Sequence, residues 1–88
     1  MSYQVRFAEK ALKQLKKLDK PAQKLILNWL QKNLEGVDEP RLKGKALVSN
    51  HSGEWRYRVG DYRLIADIQD EIVTILIIAV GHRKDIYH

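Results

Sequence analysis

Cysteine is absent from this 88-residue chain, so neither disulfides nor thiolate metal ligation can supply stability that a small core lacks. That composition fits a reducing cytoplasm and does not suggest a secreted, cross-linked scaffold. No apolar stretch followed by a small-residue cleavage site opens the sequence, so no signal peptide is expected. The longest apolar run, residues 72–80, is far too short to cross a bilayer. Histidine occurs at 51, 82 and 88 without metal-ligand spacing, and no metal or other cofactor is expected. A Gly-rich phosphate loop, a cysteine nucleophile and a Gly-x-Ser-x-Gly elbow are all missing. Ser2, Ser49 and Ser52 stand in terminal or loop settings without a recognisable base. Repeats, low-complexity tracts and linkers are missing too, and the length predicts one domain over 1–88.

What the chain does have is positive charge. Sixteen Lys and Arg against eleven Asp and Glu give a formal net charge of +5, which favours a polyanionic partner: nucleic acid, the ribosome or an acidic protein. The charge is concentrated at 54–63, where Trp55, Tyr57 and Val59 alternate with Arg56 and Arg58 at the period of a half-buried strand. Gly60-Asp61 predicts a two-residue turn, after which 62–69 alternates again. That turn pairs Val59 with Tyr62, Arg58 with Arg63, Tyr57 with Leu64 and Trp55 with Ala66. One face of the hairpin is then aromatic and aliphatic, and the other carries Arg56, Arg58 and Arg63. Two arginines directly opposite each other repel, so the cluster reads as an anion site. The plainer alternative is a solvated face whose arginines splay into water.

The rest of the chain supplies a support for this hairpin. Residues 3–7 alternate as a short strand. Residues 8–18 place Ala8, Ala11, Leu12, Leu15 and Leu18 at helical spacing, with lysines on the other side. Asp19 can cap a second helix whose first turn accepts Pro21. Its apolar stripe is Ala22, Leu25, Ile26, Trp29, Leu30 and Asn33 or Leu34, ended by Gly36. The short link predicts an antiparallel helical hairpin. Residues 37–52 read as a basic loop with Arg41, Lys43 and Lys45, in which Leu42 and Leu47 tuck down on the core. Strands at about 54–59, 62–69 and 72–80 complete a meander, the last apolar on both faces and therefore central. The expected fold is α+β: an antiparallel-rich sheet in β-α-α-β-β-β order with the two helices on one face. The other face holds Ile65, Leu76 and Ile78 beside the arginines, open either to a partner or to the C-terminal segment folding back. Beyond Gly81, His82-Arg83-Lys84 adds charge at the strand end, and Tyr87 follows.

This inventory suits one reaction that needs no metal: cleavage of RNA by attack of its own 2′-hydroxyl on the adjacent phosphate. The substrate brings the nucleophile, so the protein has only to orient it, stabilise charge and move protons. Guanidinium forks match the oxygens of the phosphorane and stay protonated at any working pH. Arg63 and Arg83, with Arg58, could supply that charge, and splayed bases could stack on an aromatic. Binding RNA or DNA without cleavage would use the same residues.

Taken in order, Tyr3–Phe7, the helical pair, Leu42-Lys-Gly44, Trp55-Arg-Tyr-Arg58, Tyr62-Arg-Leu64, Val80-Gly-His-Arg83 and Tyr87 resemble the RelE/ParE superfamily of toxins from bacterial toxin–antitoxin pairs. The resemblance covers nearly the whole chain. It implies a RelE-like fold and, in the RelE branch, ribosome-dependent cutting of messenger RNA in the A site, with an acidic antitoxin as silencing partner. ParE-like members poison DNA gyrase instead and generally lack the terminal catalytic residues; the ending His82-Arg83 with Tyr87 favours the ribonuclease branch. By resemblance, Arg63 and Arg83 stabilise the transition state and Tyr87 orients or stacks on the nucleotide. Arg56 and Arg58 stand where the RelE branch often has lysines. Arginine serves poorly as a base, which moves proton transfer towards His82. Some relatives use a glutamate before the Leu-Lys motif, and Glu39 is the nearest. Arg56, Lys43, Lys45 and Lys84 complete the expected RNA grip. The partners implied are antitoxin, messenger RNA and ribosome, with no membrane.

Overall fold

A computed structural model of the chain describes residues 2–46 and 54–86. Strand β1 (Gln4–Phe7) leads into helices α1 (Glu9–Lys16) and α2 (Lys20–Asn33). Asp19 caps α2, its Oδ1 accepting the Ala22 N–H at 3.1 Å, and Pro21 sits in the first turn, where its missing N–H costs nothing. Past the end of α2, Gly36 adopts φ +80°, a left-handed value that favours glycine. Its N–H donates to the Tyr3 carbonyl at 2.8 Å, and the Tyr3 N–H donates to the Val37 carbonyl at 2.8 Å. The helical hairpin is thereby tied to the start of β1.

The sheet has five strands in the order β1-β5-β4-β3-β2. β2 (Lys45–Ala46), β3 (Glu54–Val59), β4 (Tyr62–Gln69) and β5 (Thr74–His82) pair antiparallel in succession, while β1 pairs parallel with β5. The expected hairpin register holds: Val59 faces Tyr62, Arg58 faces Arg63, Tyr57 faces Leu64 and Trp55 faces Ala66. Gly60 supplies the positive φ, +59°, that a glycine-first two-residue turn requires. Between β4 and β5, Ile65 faces Ala79 and Ala66 faces Ile77, so Ile78 is the extra residue of a bulge that bends the central strand.

Alternation along these strands decides the two faces. Tyr57, Val59, Leu64, Ala66, Ile75, Ile77 and Val80 meet Ala11, Leu15, Ile26, Leu30 and Leu34 of the helical layer in one buried cluster. Tyr3, Val5, Phe7, Trp29 and Trp55 pack around its margin. On the other face Ile65 is buried and Leu76 and Ile78 are half-buried. A short helix α3 (Arg83–Ile86) follows β5 and makes contacts with β5 and β4.

Four expectations are corrected. The loop after α2 is not structureless, because it contains a single turn of 3-10 helix (Pro40–Leu42) and the edge strand β2. Leu42 does not tuck inward: it is 83% exposed, since the turn is fastened to the sheet by backbone and polar groups and not by this side chain. Leu25 is 47% exposed, because the buried stripe of α2 is the narrower row Ala22, Ile26, Leu30 and Leu34. The last strand begins at Thr74, after a 3-10 turn (Asp70–Ile72) and a left-handed Val73 at φ +51°. Leu47 lies outside the described residues.

Candidate nucleic-acid interface

Pairing register places four cations in two opposed pairs. Lys45 faces Arg56 across β2–β3, and Arg58 faces Arg63 across β3–β4. Because directly opposed residues share a face, all four side chains leave the sheet on the side away from the helices. Such like-charged pairs are destabilising on their own. Arg56 and Arg63 are half-buried and Arg58 is exposed. One guanidinium nitrogen of Arg63 donates to the Tyr62 carbonyl at 3.5 Å, which leans the group along its own strand.

These cations border an open cleft of about 430 Å³, whose lining also includes Lys43, Gly44 and, from α2, Trp29. The Trp29 ring lies 5.7 Å from that of Tyr57, tilted by 54°. The cleft thus joins planar donors, flexible ammonium groups and an aromatic wall: a polyanion with unstacked bases fits this chemistry.

The loop side of the cleft is built by hydrogen bonds to β3. The Tyr57 hydroxyl donates to the Pro40 carbonyl at 2.7 Å, and the Trp55 indole N–H donates to the Lys43 carbonyl at 2.6 Å. Burial raises the Tyr57 phenol well above its ordinary pKa, so it remains a donor far into the alkaline range. Gly44 takes φ +81° over this strand, and a Cβ there would stand 2.3 Å from the Arg56 carbonyl oxygen. At the start of the turn, Arg41 grips Asp70 through two hydrogen bonds of 3.1 and 3.0 Å, and the Tyr3 hydroxyl donates to the same carboxylate at 2.6 Å. Arg41, then Tyr3, hold the Asp70 pKa below its ordinary value. Of this loop, only its basic residues and the Leu-Lys-Gly segment were legible in the sequence. Trp29 reads as a core residue, and nothing in its helical spacing shows that it also lines the cleft.

The remaining expected site residues fall elsewhere. Arg83 opens α3, is exposed, and its backbone N–H donates to the Asp61 carbonyl at 2.9 Å, which brings it to the Arg63 end of β4. Lys84 follows it on the surface. His82 faces Tyr62 in register, and the two rings meet edge to face at 5.7 Å. Since Tyr62 packs against the core, His82 stands on the helix side of the sheet, across from the arginines. Its Nδ1 accepts the Lys84 N–H at 3.2 Å, leaving Nε2 for any proton transfer. Glu39 precedes the 3-10 turn and is not part of the cleft lining. Tyr87 lies outside the described residues.

Residues 5–87 match the family described as the ParE toxin of the type II toxin–antitoxin system parDE. The chain is 37% identical over 87 residues to toxin RelG of Mycobacterium tuberculosis, covering 99% of this chain and 98% of that one. Its fold is similar to a chain of the Mycobacterium tuberculosis RelBE2 toxin–antitoxin complex, with a TM-score of 0.83 at 34% identity over 94% of this chain and all of the other. It is also similar to the free Escherichia coli toxin RelE carrying two arginine-to-alanine changes, with a TM-score of 0.78 at 26% identity over 99% and 90% of the two chains.

Proposed function

The chain belongs to the ParE toxin family of type II toxin–antitoxin systems and is a RelE-like toxin, and from that premise we propose that it is a ribosome-dependent messenger-RNA endoribonuclease. The observation that carries this reading is the doubled cationic pair, Lys45 with Arg56 and Arg58 with Arg63, on one sheet face beside an aromatic-walled cleft. In the reaction the substrate 2′-oxygen bonds to the adjacent phosphorus, the bond to the 5′-oxygen breaks, the 2′ proton leaves to a base and the 5′-oxygen takes up a proton. Negative charge grows on the non-bridging oxygens as this happens. Arg58 and Arg63 receive it as planar forks, and Arg83 adds to it from the neighbouring end of β4. Arg56, Lys43, Lys45 and Lys84 hold flanking phosphates, and Tyr87 orients the nucleotide. Proton transfer falls to His82 through Nε2, although its place across the sheet requires the RNA to wrap the strand end.

A cognate antitoxin of acidic character would silence the site by covering the same face, and the cytoplasm is the natural setting. The matched family is named for ParE, which supports a second reading, inhibition of DNA gyrase. Programmed ribosomes separate the two: message cut within the A-site codon is the expected product, whereas intact message with blocked supercoiling would establish the gyrase reading. Arg63→Ala and Arg83→Ala should each lower cutting by about 10²–10³-fold, the usual loss for one transition-state donor, with unchanged circular dichroism. Cutting that survives both changes would refute the site, and an unaltered rate in His82→Ala would remove that residue from proton transfer.

A further inference from the structure

The cations of the cleft come from two sources of unequal rigidity. Arg56, Arg58 and Arg63 rise from paired strands, but Lys43 lies in a loop and Lys45 in a two-residue edge strand. The loop that carries Lys43 leads directly into that edge strand. What holds it is β3: the Tyr57 hydroxyl on the Pro40 carbonyl at 2.7 Å, the Trp55 indole on the Lys43 carbonyl at 2.6 Å, and Gly44 lying against the Arg56 carbonyl without room for a Cβ. Both donors alternate with the arginines along β3, and neither is among the residues that line the cleft. We infer that Trp55 and Tyr57 are positioning residues, which set the phosphate grip of Lys43 and Lys45 by clamping the backbone of the Pro40–Lys45 segment to β3. The inference rests on the proposal that this cleft receives RNA.

The clamp has a signature that fold stability lacks. Each ammonium held at a phosphate releases counterions, so the logarithm of the association constant for a single strand falls with that of salt at a slope of about −0.7 per contact. The probe is a short fluorescein-labelled 2′-O-methyl RNA, which binds but cannot be cut, titrated by anisotropy over a range of salt. Lys43→Ala/Lys45→Ala should weaken binding and flatten the slope by about 1.4, two such contacts. Trp55→Phe and Tyr57→Phe, which remove one donor each, should reproduce about half of that flattening with a roughly tenfold loss of affinity at low salt. Added to the double lysine variant, Trp55→Phe should change nothing further. Thermal melts run in parallel establish that each variant is folded at the assay temperature, and Trp55→Phe alone carries the test if Tyr57→Phe is not.

Slopes that stay at the wild-type value in both aromatic variants, beside a flattened slope in the double lysine variant, would overturn the clamp and leave the RNA cleft standing. So would a Trp55→Phe loss that simply adds to the lysine loss. A double lysine variant that binds as tightly and as steeply as wild type would instead strike at the RNA cleft itself.

Discussion

Arg58 and Arg63 were legible as an opposed pair because side chains on a strand repeat every two residues and Gly60-Asp61 fixes the turn length. The same arithmetic could not say how wide a helix's buried stripe would be, which is why Leu25 was placed in the core and is not. Nor could it aim a donor. Tyr57 sits at a plain apolar position of its strand, yet its hydroxyl is what anchors Pro40. Its raised pKa has a measurable consequence. Below about pH 10 folded and unfolded chains both keep this phenol protonated. Above that, the unfolded chain releases the proton and the folded chain does not, so stability falls as pH rises. Tyr57→Phe lacks the group, and the gap in unfolding free energy between wild type and this variant should therefore narrow from pH 9 to pH 11. A gap that stays constant across denaturant titrations would show that the phenol titrates freely in the folded protein.

Among the elements, those with a long periodic signal were read and the one without was not. The helices, the 54–69 hairpin and the apolar last strand each declare themselves over many residues, and their sum is the α+β sheet with helices on one face. The 37–46 segment depends instead on partners far along the chain: Arg41 on Asp70, Pro40 on Tyr57, Lys43 on Trp55. No local pattern encodes those meetings. Glycine is the residue on which they turn. Gly44→Ala should cost about 1–2 kcal/mol for the left-handed backbone alone, and more because the new methyl group meets the Arg56 carbonyl. Chemical denaturation checks the stability, and the ribosome assay should show a weaker substrate half-saturation before it shows any change in maximal rate.

For the whole molecule, the net charge of +5 pointed to an anionic partner without saying where it binds, and the register of three strands gathers four of the cations on one face of the sheet. No helix among the described residues is long and apolar enough to cross a membrane. Topology carries a further expectation. β1 pairs with β5, Gln4 meeting Thr74 and Phe7 meeting Ile77, so the first strand finds its neighbour only when the last is present. A chain cut after Val73 should lack a cooperative thermal transition, although both helices and the 54–69 hairpin remain in it; a sharp melt in that fragment would show that the core closes without its central strand.

That parallel pairing of opposite ends of the sequence has a bearing on how a cell can make such a molecule safely. Emerging at roughly 5–20 residues per second, the nascent polypeptide presents β1 before β5, its partner in the sheet, has been translated. Long-range closure of this kind is slow, and the delay gives a co-expressed inhibitor an interval in which to capture the newborn poison before it is armed.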